Sequence, residues 1–192
     1  MNSTYRVAVL VGSLRQASIT RRVAAALADV APAELTLEQV EMGDLPLYNQ
    51  DFDDQHRVPA EWAEFRRNIA AADAVLFVTP EYNRSIPGVL KNAIDVGSRP
   101  YGQSVWSGKP AAVVSVSPGL LGAFGANHHL RQMLVFLNMP TLQQPEAYIS
   151  NAAALFDQQG NLVNDKTREF LRGVMAAFAN WIALTAPVAA AD

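Results

Sequence analysis

Three stretches of this chain are oily without alternation: Val7-Ala-Val-Leu-Val11, Ala74-Val-Leu-Phe-Val78 and Ala111-Ala-Val-Val114. A strand with one wet face alternates apolar and polar side chains, because successive residues point to opposite sides. A strand that is apolar at every position must be covered on both faces. Each stretch here runs into glycine, proline or hydroxyl residues, and then into a segment of helical character. Strand, loop and helix repeated in this way predict a parallel sheet with helices on both sides.

The rest of the chain completes the pattern. Tyr5–Val11, Asp73–Thr79 and Ala111–Ser117 are expected as buried strands. Leu35–Glu41 alternates, as a half-exposed edge strand would, and Thr141–Ile149 is expected to hold a fifth strand. Helices are expected over Thr20–Val30, Pro59–Ala72, Gly88–Val96, Leu121–Leu137 and Asp165–Leu184. Met42–Arg57 contains breakers and several acids and reads as a long loop. Five strands predict a flavodoxin-like three-layer α/β/α fold with sheet order 2-1-3-4-5, in preference to a six-stranded dinucleotide fold. One domain is expected over residues 1–185, with the alanine-rich residues 186–192 fraying.

Composition narrows the function. With 192 residues, half of them hydrophobic, the chain can bury one good core. Its 15 basic and 18 acidic residues form no block of like charge, so a nucleic-acid surface is not expected. The polar start and the short first apolar run suit neither a signal peptide nor a membrane span, and a cytoplasmic protein is expected. Cysteine is absent, which removes disulfides, thiolate nucleophiles and iron–sulfur clusters.

Open parallel sheets bind ligands beyond the carboxyl ends of their strands, where strand order reverses. Three loops leave that edge: Gly12–Ser18, Pro80–Pro87 and Ser115–Gly122. In the first, unpaired amides at the start of the next helix, the hydroxyls of Ser13, Ser18 and Thr20, and the guanidinium of Arg15 can all engage an anion. Ser18 or Thr20 taken alone reads as a helix cap; the whole loop reads as a phosphate site. The glycine patterns of nucleotide P-loops and of dinucleotide folds are both missing. A single terminal phosphate suits this loop better than a pyrophosphate.

In the second loop Pro80 and Pro87 stiffen a backbone able to read a flat heterocycle. Tyr82 can pack on a ring. Asn83 can pair with a polar edge or hold the turn. Glu81 can accept from a ligand N–H or stand free at the surface. Ser117 and Gly119 of the third loop border the same region. No histidines show metal spacing: His128 and His129 are adjacent, so one is expected packed and the other exposed. Asp51, Asp53 and Asp54 lack a calcium-loop pattern and read as a solvated loop.

The segments GSLRQASITRRVAAAL (12–27), LPLYNQD (45–51), TPEYNRSIPGVLKNAID (79–95) and SVSPGLLGAFGANHHLRQML (115–134) together resemble the NADPH-dependent FMN reductase family. The nearest subgroup is the bacterial NAD(P)H-dependent quinone and chromate reductases. The resemblance implies a flavodoxin-like fold with non-covalent FMN. It assigns Ser13, Arg15, Ser18 and Thr20 to the FMN phosphate, Thr20 standing where asparagine is common. It places Pro80, Glu81, Tyr82, Asn83 and Ser85 at the isoalloxazine, with Ser117 and Gly119 beside it. The family's second glycine after this loop is Ala123 here, and its tryptophan after Asp95 is Val96. Members are homodimers or homotetramers, which assigns Leu45–Asp51 and Pro87–Arg99 to an interface.

The expected activity is transfer of hydride from NADPH or NADH to FMN, and then of electrons to a quinone, azo compound, chromate or free flavin, by ping-pong kinetics. No catalytic side chain and no metal are required. Arg84, at the expected pocket mouth, reads as a contact for the anionic nicotinamide cofactor or as a solvated arginine. Two rivals use the same flavin site. One is a flavodoxin-type electron carrier reduced by a partner protein, which the modest net charge of −3 disfavours. The other is a two-component flavin reductase that releases reduced FMN.

Overall fold

The oily strands do lie in the middle of a sandwich. In the computed structural model, which describes residues 4–186, five strands form one sheet in the order β2-β1-β3-β4-β5. They are β1 (Tyr5–Val11), β2 (Leu35–Gln39), β3 (Ala74–Thr79), β4 (Ala111–Val116) and β5 (Ala147–Ile149), and every pairing is parallel. Six α-helices surround it: α1 (Ile19–Asp29), α2 (Gln50–Asp54), α3 (Ala60–Ala70), α4 (Gly88–Gly97), α5 (Phe124–Phe136) and α6 (Asp165–Thr185). The period-two rule divides each strand between two cores. Val7, Val9 and Val11 join Leu76, Val78 and Val114 under α1 and α6. Ala8 and Leu10 join Val75, Phe77 and Val113 under α3, α4 and α5. Helices on both faces explain why no alternation is visible in β1, β3 or β4.

β2 is the wet edge, with only Leu35 fully buried. The fifth strand is shorter than expected. Thr141 makes an isolated bridge to Ala111, and pairing resumes only at Ala147. Pro145, which has no N–H to give a ladder, lies between. The expected loop over Met42–Arg57 contains α2, whose N-cap Asn49 accepts the Asp51 N–H at 3.0 Å. Helix α5 starts three residues late because Gly122 and Ala123 are left-handed, at φ 56° and 61°. Of the expected frayed tail, residues 187–192 lie outside the described residues. β1 lies between β2 and β3, so the chain reverses its direction of sheet-building between β1 and β3. At that reversal a crevice opens at the carboxyl ends of the strands.

Candidate functional site

The three loops singled out in the sequence meet at this crevice around a cavity of about 240 Å³. Ser13, Arg15, Ser18 and Thr20 line one end; Pro80, Glu81, Tyr82 and Ser117 line the other, with Ile19, Val116 and Pro118 as apolar wall. Those last three carry no chemical signature, and only their place beside the loops reveals them. The first two loops approach each other tightly at Gly12. A Cβ at Gly12 would stand 3.1 Å from Pro80 Cδ and 3.1 Å from Thr79 Oγ1.

The loop after β1 is arranged as an anion cradle. Ser13, Ser18 and Thr20 are buried, while Arg15 is exposed and free to reach over the rim. Ser18 is the N-cap of α1, its Oγ accepting from the Arg21 N–H at 3.3 Å. That bond uses an oxygen lone pair and leaves the hydroxyl proton to donate, so capping and anion binding are compatible. Among the described residues, no hydrogen bond engages the backbone N–H groups from Ser13 to Thr20. Orphan amides at a helix start, hydroxyl donors and one guanidinium form a donor set for an anion.

The loop after β3 is a tight hairpin turn. Tyr82 N–H donates to the Ser85 carbonyl at 2.9 Å, and Ser85 N–H returns a bond to the Tyr82 carbonyl at 3.0 Å. Asn83 and Arg84 occupy the two central positions with φ of 51° and 66°, the left-handed pair of a type I′ turn. Asn83, Arg84 and Ser85 therefore flank the cavity without lining it. Tyr82 stands half exposed at its mouth. Ser85 Oγ lies 3.1 Å from His129 Nδ1. The Glu81 carboxylate faces away from solvent, accepting the Ala126 N–H at 3.0 Å and an Arg84 bond at 3.3 Å. In the third loop Gly119 N–H donates to Ser117 Oγ at 3.0 Å and the Gly119 carbonyl accepts from Asn151, so Gly119 shapes the turn.

Two readings of charged or polar residues are corrected. Asp53 is buried in α2, where it takes two bonds from Arg66 of α3 at 2.8 and 2.9 Å. Its solvated neighbours in the sequence gave no sign of this. His128 and His129 are both exposed, because Ala126, Asn127 and Leu130 take the inward positions of α5. Each is still partnered, His128 by the Tyr148 hydroxyl at 3.0 Å.

Residues 5–154 match the family model described as NADPH-dependent FMN reductase. The chain belongs to this family. Within this family of oxidoreductases, a quinone reductase of Pseudomonas putida is 62% identical over 98% of this chain and 100% of its own. A 2-hydroxy-1,4-benzoquinone reductase of a Burkholderia species is 46% identical, covering 92% of this chain and 96% of its own. Among solved structures, the flavoenzyme NAD(P)H:(acceptor) oxidoreductase FerB of Paracoccus denitrificans superposes with a TM-score of 0.89 at 41% identity. That match covers 95% of this chain and 100% of FerB. For a member of the FMN reductase family, the crevice suits the cofactor. Among the described residues, the end at the loop after β1 is lined by donors and holds no carboxylate, and the Glu81 carboxylate at the other end is turned onto the protein's own amide and arginine.

Proposed function

We propose that this chain is an FMN-dependent NAD(P)H oxidoreductase that reduces a quinone-like acceptor. The observation that carries this reading is the convergence of an unpaired donor cradle and a stiff, tyrosine-bearing turn on one crevice. When bound, FMN supplies the redox chemistry, accepting hydride from the nicotinamide and passing electrons on. Ser13, Ser18 and Thr20 hold the phosphate through their hydroxyls, the free amides around them add donors, and Arg15 closes over the rim. Pro80 and Tyr82 border the isoalloxazine with Ser117, while Glu81, Asn83, Ser85 and Gly119 hold the backbone that does so. Arg84, whose side chain is 76% exposed, draws the anionic nicotinamide cofactor to the mouth. Quinones are the acceptor class because two relatives of 62% and 46% identity are named for quinone reduction.

Tyr82 stands half exposed beside the crevice, and donor and acceptor use that crevice in turn. Protein saturated with FMN without oxygen, freed of unbound flavin and given NADPH, is expected to lose its oxidised-flavin absorption within seconds. Initial rates against varied quinone are then expected to form parallel lines. Bound flavin that stays oxidised would favour an electron carrier, and intersecting lines would refute the ping-pong order.

A second, larger cavity of about 490 Å³ lies between α4 and α5, away from the crevice. Ile94, Met133, Phe136 and Leu137 floor it, and Lys91, Asp95 and Arg99 rim it. An apolar floor within a rim of both charges suits a second copy of the chain, and we assign the homodimer, or the pairing within a homotetramer, to this face. Phe136, 81% exposed in the single chain, is its most prominent apolar group. Sedimentation at micromolar concentration is expected to show a dimer or tetramer, and Phe136→Glu a smaller species. An unchanged sedimentation coefficient in Phe136→Glu would move the interface elsewhere.

A further inference from the structure

The turn that carries Tyr82 is fastened at both ends to one helix. At its start, Glu81 Oε2 accepts the Ala126 N–H of α5 at 3.0 Å. At its end, Ser85 Oγ meets His129 Nδ1 of the same helix at 3.1 Å. Ala126 and His129 are three residues apart and so share a face of α5. Directly before Ala126, Gly125 lies close under the turn. A Cβ there would lie 2.9 Å from Glu81 Oε2 and 3.0 Å from the Arg84 carbonyl oxygen. The turn needs this support. Arg84 is held at φ 66°, a region costly for a residue with a Cβ, and two central left-handed residues without glycine favour other loop conformations.

From this geometry we infer that Glu81 is a positioning residue: its carboxylate, seated over Gly125 on the Ala126 amide, clamps the site's turn to α5 rather than contacting a ligand. This deepens the flavin-site reading and rests on it for its consequence, but the clamp itself is a property of the chain alone. Glu81 satisfies an orphan amide of the first turn of α5 and adds a negative charge where the helix dipole favours one. The side chain is only 14% exposed, so its removal leaves the Ala126 N–H short of a partner. His129 clips the other end, and with both clips made Tyr82 has a fixed place at the mouth of the crevice. Clearance favours glycine at position 125, because a Cβ there would displace the Glu81 carboxylate and press on the Arg84 carbonyl; its own φ is not in the left-handed range.

The test is amide hydrogen exchange on the flavin-free full chain, read at Ala126, Tyr82 and Ser85, in wild type, Glu81→Ala, Glu81→Gln and Gly125→Ala. Glu81→Ala and Gly125→Ala are expected to speed exchange at these amides about tenfold or more, with the β1 and β3 amides unchanged. Glu81→Gln keeps an oxygen for the Ala126 N–H and is expected to stay within about threefold of wild type. Wild-type exchange in Glu81→Ala would overturn the clamp, as would Glu81→Gln behaving like Glu81→Ala. Should Gly125→Ala fail to fold, the two Glu81 variants decide the matter. Titration with FMN then reads the consequence: Glu81→Ala is expected to bind it about tenfold more weakly and with a changed visible spectrum, and Glu81→Gln to bind as wild type does. If no variant and no wild-type protein bound FMN, the cofactor reading would fail while the exchange result still judged the clamp.

Discussion

Arg15→Ala is expected to weaken FMN binding by about 10- to 100-fold while leaving the flavin-free protein folded and as stable as before. Among the described residues Arg15 is the one cation lining the cavity, and a hydrogen bond to a charged group contributes about 1.5–3 kcal/mol, with about 1.4 kcal/mol for each factor of ten. It is exposed and makes no hydrogen bond among the described residues, so the empty fold loses nothing when it goes. Arg15→Lys is expected to recover only part of the affinity, because an ammonium cannot reproduce the two-pronged contact of a guanidinium. Arg84 provides the contrast. It faces the turn and not the hydroxyl cradle, so Arg84→Ala is expected to leave FMN affinity within about threefold of wild type and to lower the specificity constant for NADPH about tenfold, the cost of one exposed charge contact. Fluorescence titration with FMN and steady-state kinetics with both nicotinamide donors check the pair. Equal FMN losses in the two variants would put the phosphate end in the wrong place, and unchanged NADPH and NADH constants in Arg84→Ala would remove its role.

Asp53→Ala is expected to be the most destabilising single change proposed, at about 3–5 kcal/mol, which for a chain of this size lowers Tm by about 10 °C. The pair it breaks is buried: the side chains of Arg66 and Asp53 are 14% and 4% exposed. Removing the carboxylate strands a guanidinium that still donates from Nε to the Val96 carbonyl at 2.9 Å and lies 5.5 Å from the Trp62 ring centre. The damage would spread through the 42–57 segment. Asn92 of α4 also holds that segment, accepting from the Tyr48 N–H at 2.8 Å and donating to the carbonyls of Leu45 and Pro46. Hydrogen bonds from Arg66, helped by its charge and opposed by burial, hold the Asp53 carboxyl below the ordinary carboxylate range. A depressed carboxyl favours the folded state above its unfolded pKa, near 4, and loses that benefit as pH falls through the folded value. The stability gap between wild type and Asp53→Ala is therefore expected to be full at neutral pH and to narrow below about pH 4. Denaturant melts across that range measure it. A gap that is constant with pH would show that folding does not lower the Asp53 pKa.

What the sequence determined by itself is the architecture and the sheet edge at which three polar loops meet. Val7–Val11, Ala74–Val78 and Ala111–Val114 show by their lack of alternation that both faces of the sheet are covered, and their number and spacing lead to the order 2-1-3-4-5. The three loops were legible because turn formers and hydroxyls crowd directly after oily strands, and a parallel fold brings all such loops to one edge. Only the tertiary structure decided which polar side chains serve the fold. The Asp51-Phe-Asp-Asp54 run looks solvated, and Asp53 is buried because Arg66 reaches it from another helix 13 residues on. Glu81 looks like a ligand group or a surface charge, and it faces inward because an amide 45 residues away needs an acceptor. Gly125 reads as one more glycine in a helix, until the Arg84 carbonyl is seen against it. The division has a physical cause. Side-chain period, turn geometry and helix capping act over a few residues and are written in their order. The partner of a buried charge is set by which elements the folded chain brings together, and that neighbour can stand anywhere in the sequence.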